Sequence, residues 1–160
     1  MTASRFPLYI VAHNIRSLHN VGSIFRTADS AGVTKVFLTG YTGTPPDPKI
    51  AKVALGAETF VTWEKQLRPS YAIKKLKKEH SDLAVMALEN NVKAGQKLVS
   101  LYDVRLTAPT VLIIGEETKG IPKSLLNTAD TILEIPMRGQ KESLNVSVAM
   151  GIASYFLLRD

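Results

Sequence analysis

Cysteine is absent from this 160-residue chain, which removes disulfides, thiolate metal sites and thiol nucleophiles at once and suits a reducing compartment. Histidine is scarce: His13, His19 and His80 are scattered, and no helical pattern pairs two of them four residues apart, so no metal site is expected. No apolar run is long and uninterrupted enough to cross a bilayer, and the opening MTASRFPLYIVAHN lacks a basic region ahead of an apolar core. A soluble, cytoplasmic protein without a membrane partner is the expectation. Three nucleotide and hydrolase signatures are missing as well. The run GEETKG (Gly115 to Gly120) looks like a phosphate loop but lacks GxxxxGKS/T, and its adjacent carboxylates would repel a phosphate. HNIRSLHN stands after the first strand where a dinucleotide fold carries G-x-G-x-x-G. Ser143 has no G-x-S-x-G elbow around it, which disfavours a serine hydrolase.

What is present fits one α/β domain over residues 1–160, long enough to bury roughly two thirds of its unfolded surface. Twenty Lys and Arg against fourteen Asp and Glu leave a net charge of +6, which leans toward a polyanionic partner without requiring one. Leu8 to Ala12 reads as an apolar strand. Asn20 to Ala31 reads as a helix whose apolar stripe (Val21, Ile24, Phe25, Ala28, Ala31) lies opposite Arg26 and which stops at Gly32. A lone helical arginine is ordinarily solvated or paired, here with Asp29, but small neighbours Gly22, Ser23 and Ser30 open the Arg26 face to another surface. Lys35 to Thr39 is a second strand, and GYTGTPPDPK is too dense in turn formers for helix or central strand. A short helix from Ile50 to Leu55, a third strand from Thr59 to Trp63 and a helix from Tyr71 to His80 follow. Lys74, Lys75, Lys77 and Lys78 on that helix read first as a solvated face and second as a phosphate-binding patch. Leu83 to Leu88 and Pro109 to Gly115 are continuous apolar strands, the mark of a parallel sheet covered on both faces.

The segment IPMRGQKESLNVSVAMGIASYFLLRD (Ile135 to Asp160) follows a strand end at Ile132, Leu133 and Ile135, and holds a polar junction at Ser143 and Asn145 before a helix, Leu144 to Leu158, with apolar residues in nearly every direction. Such a helix must be covered on most sides, and a second copy of itself is one cover. In open parallel sheets ligands bind outside the carboxyl ends of the strands. Those ends carry Leu88-Glu89, the Gly115 to Gly120 run and Ile135 to Gly139.

Three segments, NIRSLHNVGSIFRTADSAGV (Asn14 to Val33), LIIGEETKGI (Leu112 to Ile121) and IPMRGQKESLNVSVAMGIA (Ile135 to Ala153), resemble the sequence motifs of the SpoU, or TrmH-like, branch of the SPOUT RNA methyltransferases, in the same order. KVALGAE (Lys52 to Glu58) adds to the likeness. The resemblance implies a parallel-sheet α/β knot with a deep C-terminal trefoil, S-adenosylmethionine as cofactor, and 2'-O-ribose methylation of tRNA or rRNA. It also implies a homodimer, here through the C-terminal helix. Carried over, it assigns Asn20, Arg26, Glu117, Ser143 and Asn145 to catalysis, and Leu88, Glu89, Gly115, Ile135, Met137, Ser143 and Leu144 to the cofactor. Structural roles stand beside these: Asn20 and Ser143 as helix caps, Glu117 as an acid stabilising the helix start that follows it.

Methyl transfer to a ribose hydroxyl needs in-line approach, loss of the hydroxyl proton and stabilisation of the oxygen, and it needs no metal. A guanidinium holds its proton far above physiological pH, so Arg26 is expected to grip a phosphate or the 2'-oxygen rather than act as base. The proton then goes to solvent or to a carboxylate such as Glu117. A noncatalytic RNA-binding relative and a methyltransferase acting on a base nitrogen are the alternatives.

Overall fold

The computed structural model describes residues 5–92 and 98–160. Strands β1 (Leu8–His13), β2 (Lys35–Thr39), β3 (Trp63–Gln66), β4 (Ala84–Leu88), β5 (Leu98–Ser100), β6 (Thr110–Ile114) and β7 (Thr131–Glu134) form one sheet in the order β3-β2-β1-β6-β4-β7-β5. Every pairing is parallel. The helices are α1 (Leu18–Ala31), α2 (Pro48–Ala54), α3 (Ala57–Phe60), α4 (Pro69–Glu79), α5 (Lys123–Leu126) and α6 (Val146–Leu157).

Side chains alternate across a strand, so each continuous apolar run feeds two cores. Leu8, Ile10 and Ala12 of β1 join Leu112 and Ile114 of β6 under Val21, Ile24 and Phe25 of α1, Ile50 of α2, and Met150 and Ala153 of α6. Tyr9, Val11, Val111 and Ile113 point to the other face, under Ile73 and Leu76 of α4 and Leu125 of α5. All five residues of β6 are buried, and each large apolar side chain there contributes on the order of 1.5–3 kcal/mol. The parallel α/β reading is therefore what the chain adopts.

Several boundaries differ from the sequence expectation. Helix α1 begins at Leu18 rather than Asn20, because the Ser17 hydroxyl caps it, accepting the Asn20 N–H at 3.2 Å. Its end is as expected, with Gly32 at φ 80 donating to the Ala28 and Asp29 carbonyls. Pro48 and Lys49, assigned to a turn, form the first turn of α2; a proline there forfeits no hydrogen bond, and Asp47 accepts the Lys49 N–H at 2.8 Å. The strand expected at Thr59 to Trp63 lies instead at β3. Gly56, at φ 92, turns the chain into α3, which local bonds close from Val61 N–H to Ala57 O and from Thr59 Oγ1 to Gly56 O. Helix α6 starts at Val146 with Asn145 as its cap, not near Ser143. Neither β5 nor α5 was expected.

Of the lysines on α4, Lys75 is structural: it and Lys35 each donate to Glu64 Oε2 at 2.7 Å. Lys74, Lys77 and Lys78 are exposed, as a solvated face requires.

Candidate active site

The neighbouring strands β6, β4 and β7 end side by side, and their carboxyl ends open into a cleft of about 330 Å³. Leu88, Glu89, Gly115, Glu117, Ile135, Ser143, Leu144 and Asn145, all assigned from sequence, line it. Glycine is required at two of its turns. A Cβ on Gly115 would lie 2.7 Å from the Gly120 carbonyl carbon and from Ile121 Cγ1. Gly120 adopts φ 68, and a Cβ there would overlap Glu89 Oε2. That same oxygen accepts the Ile121 N–H at 2.9 Å, so Glu89 ties the end of β4 to the loop after β6.

Asn90 was not singled out from sequence, yet it fixes the third wall. Its Oδ1 accepts the Ile135 N–H at 3.0 Å and its Nδ2 donates to the Ile135 carbonyl at 2.9 Å. The side chain thus imitates a strand neighbour just where β7 has run out. The signal was available: a paired Asn90-Asn91 that follows Glu89 just past an unbroken apolar strand.

At the mouth of the cleft three distant segments meet. Glu117 Oε1 accepts from Asn20 Nδ2 at 3.0 Å and from the Ser17 N–H at 3.1 Å, and Oε2 accepts the Arg16 N–H at 3.1 Å. Asn145 Nδ2 donates to Asn20 Oδ1 at 3.1 Å, while Asn145 Oδ1 accepts the N–H groups of Ser147 and Val148 at 2.9 and 3.3 Å. The direction of this chain is forced. Helix N–H groups only donate and a carboxylate only accepts, so each amide between them has one permitted orientation. Helix α6 is thereby linked through Asn145 and Asn20 to the Glu117 charge.

Burial pushes the Glu117 carboxyl up, but hydrogen bonds from Asn20, from its own backbone and from the Ser17 and Arg16 amides together hold it below the usual carboxylate range. Two expectations change as a result. With both oxygens engaged and its affinity for a proton reduced, Glu117 is poorly suited to the role of proton acceptor expected of it. It also stabilises the start of α1, far away in sequence, and not the helix that follows it. Nor are Asn20 and Ser143 the caps: Ser17 and Asn145 hold those positions, which frees the Asn20 amide for the relay.

Not every assigned residue reaches the cleft. Met137, half-buried on the loop after β7, and Arg26 do not line it. Arg26 is exposed on α1 and forms no ion pair among the described residues, Asp29 included. Its neighbour Thr27 packs on α6, where a Cβ on Gly151 would stand 3.3 Å from Thr27 Cγ2. Gly22, expected to open the Arg26 face, serves the other side: a Cβ there would lie 2.7 Å from the Ile50 carbonyl oxygen and 2.8 Å from Val53 Cβ, so it admits α2. Among the described residues no group of three or more His, Asp or Glu side chains could hold a metal, and no helix is long and apolar enough to cross a membrane.

Comparison with known proteins bears on the same residues. The chain is 34% identical over 153 residues to the 23S rRNA (guanosine-2'-O-)-methyltransferase RlmB of Pseudomonas syringae pv. tomato, covering 96% of this chain and 58% of that relative. It thus spans well under two thirds of the relative's length. Among solved structures, the TrmH/SpoU tRNA modifying enzyme of A. aeolicus superposes with a TM-score of 0.79 at 30% identity, over 93% of this chain and 72% of that one. The SpoU methyltransferase AviRb of Streptomyces viridochromogenes, solved with AdoMet, shares the fold at a TM-score of 0.85 and 23% identity, over 96% of this chain and 57% of its own. The family model of the SpoU rRNA methylases matches residues 7–155. That span holds the whole cleft and all three segments of the relay, and the chain belongs to the SpoU rRNA methylase family.

Proposed function

We propose that this chain is a cytoplasmic S-adenosylmethionine-dependent methyltransferase that modifies a ribose 2'-hydroxyl of tRNA or rRNA, its catalytic domain spanning 1–160. The observation that carries the reading is the Glu117–Asn20–Asn145 chain, which fastens three separate segments at the mouth of one cleft. The printed activities of the relatives, a guanosine 2'-O-methyltransferase of 23S rRNA and a tRNA modifying enzyme, support RNA as the substrate class.

The cleft suits the cofactor chemically. Its volume falls within the range of about 300–1,000 Å³ usual for small ligands. Leu88, Ile114, Ile135 and Leu144 give apolar walls, and the glycine-bearing Gly115 to Gly120 loop brings backbone close. When bound, S-adenosylmethionine supplies an electrophilic methyl group on a sulfonium centre. Alignment alone can supply roughly 7–11 kcal/mol. Arg26, with forked donors free of any ion pair among the described residues, holds the 2'-oxygen or its neighbouring phosphate and favours the deprotonated hydroxyl. Asn145 and Ser143 would orient the reacting groups, Met137 would be brought to the cofactor only by a shift of the loop after β7, and the proton would leave to solvent.

A homodimer through α6 completes the reading. Leu144, Val148, Ile152 and Tyr155 are 38 to 57% exposed and repeat at helical spacing on the side away from Met150 and Ala153. Arg26 precedes Thr27, the residue of α1 that meets Gly151 of α6, and in this reading it serves the partner's cleft and not its own. The deep trefoil knot belongs to the same proposal: β6 lies between β1 and β4, and the chain after β7 returns to pack α6 on α1. Titration calorimetry tests the cofactor reading, with one S-adenosylmethionine expected per chain and a raised melting temperature. No heat of binding at millimolar ligand would remove the proposal.

A further inference from the structure

A second concavity, about 660 Å³, lies beside the first turn of α1 and is walled by Arg16, Ser17, Leu18 and His19 on one side and Lys49, Lys52 and Val53 on the other. Lys49 and Lys52 are three residues apart on α2, hence on one face of it. Both are exposed, and neither forms an ion pair among the described residues. Arg16 has a partner, Glu116, at 3.7 Å, but its own side chain is 65% exposed. Asp47 caps the Lys49 amide at 2.8 Å and does not line the groove. The lining of the groove thus carries three cationic side chains and an imidazole and no carboxylate of its own, with Glu116, Glu117 and Asp47 standing beside it.

The groove is built rigidly. Gly22 lets α2 approach α1 closer than any side chain would permit. The Arg16 and Ser17 amides are pinned by Glu117, whose carboxylate also holds Asn20 one turn further on. Residues 16–20 are thus at once a wall of the groove and part of the relay at the cleft.

We propose that this groove is the track for the phosphate backbone of the substrate RNA next to the modified nucleotide, with Lys49 and Lys52 as phosphate contacts on the wall opposite Arg16. The assignment rests on the methyltransferase reading and extends it. A strand whose ribose lies beside Asn20 and Asn145 and which continues past residues 16–19 meets these cationic side chains in the groove. Contacts of this kind fix register and orientation without reading sequence.

The test uses the full chain, its Lys49→Gln/Lys52→Gln double variant and a short fluorescent oligouridylate, with affinity measured by anisotropy across a salt series. Calorimetry with S-adenosylmethionine is run on the same samples as a control on folding and on the separate cleft. Each phosphate contact to a single strand contributes roughly 0.7 to the slope of log affinity against log salt, so loss of two should flatten the slope by about 1.4. Affinity should fall at least several-fold at low salt while cofactor still binds. A parental slope and affinity in a variant that still binds cofactor overturns the groove and leaves the methyltransferase standing; an acidic protein as the true occupant would give this result. Failure of the parent to bind the oligouridylate at low salt also overturns it. Failure of the parent to bind S-adenosylmethionine removes the underlying reading and the groove with it.

Discussion

Replacing Glu117 with alanine should loosen the corner where the three segments meet. The carboxylate accepts three hydrogen bonds from outside its own loop, from the Arg16 and Ser17 amides and from Asn20 Nδ2, all at 3.0 to 3.1 Å. A hydrogen bond to a charged group contributes about 1.5–3 kcal/mol, but these do not sum. The Arg16 bond is exposed and water can replace it, whereas the other two are partly buried. A net loss of about 2–3 kcal/mol follows, and in a chain of this size each kcal/mol lowers the melting temperature by roughly 2–4 °C. The expected fall is therefore about 4–12 °C, read by calorimetry. Hydrogen exchange localises it: the Arg16 and Ser17 amides should lose protection while those of β6 keep theirs. Glu117→Gln, which keeps one acceptor oxygen and discards the charge, should fall between parent and alanine. An alanine variant with the parental melting temperature and protected Ser17 would refute the reasoning, because the relay would then be holding nothing.

Other outcomes follow from the same geometry. Glu64 is held down to about 2 by hydrogen bonds from Lys35 and then Lys75. Its stabilisation is complete above its ordinary value of 4.5 and is lost as pH falls toward 2; with Lys75 half-exposed, about 1–2 kcal/mol is expected. Denaturant titrations between those limits should show Glu64→Gln losing stability less steeply than the parent. Asn90→Ala removes both bonds to Ile135, and S-adenosylmethionine affinity measured by calorimetry should drop by roughly tenfold, at about 0.7 kcal/mol for each of two partly exposed bonds. Arg26→Ala should fold and bind cofactor as the parent does while single-turnover methyl transfer falls by orders of magnitude. Arg26→Lys should retain part of the rate with no steep alkaline recovery, since a clamp keeps its charge and loses its fork.

The centre of the sheet was legible because β1, β4 and β6 are nearly unbroken apolar runs, and all five residues of β6 (TVLII) are buried. What escaped were elements whose signal lies in tertiary contact. Strand β5 spans three residues and needs β7 beside it. Thr59 to Trp63 has the residues of a strand, but two local hydrogen bonds and Gly56 outweigh that preference. The candidate site was legible as a set of residues and not as a circuit. Asn20 and Glu117 stand 97 positions apart in the chain, and Asn20 and Asn145 stand 125 apart. Only the fold discloses that they form one chain of bonds, or that Asn145 and not Ser143 begins α6. Arg26 shows the reverse case, conspicuous in sequence by its solitude on the polar face of α1 and still outside its own chain's cleft.

The most direct measurement is the chemical identity of the modified nucleoside. RNA from cells lacking the gene, incubated with the purified protein and S-adenosylmethionine, is digested to nucleosides and read by mass spectrometry. A 2'-O-methylated nucleoside that requires both protein and cofactor, and that Asn145→Ala reduces, is the predicted result. A methyl group on a base nitrogen, or RNA that is bound but returned unmodified, would contradict the account.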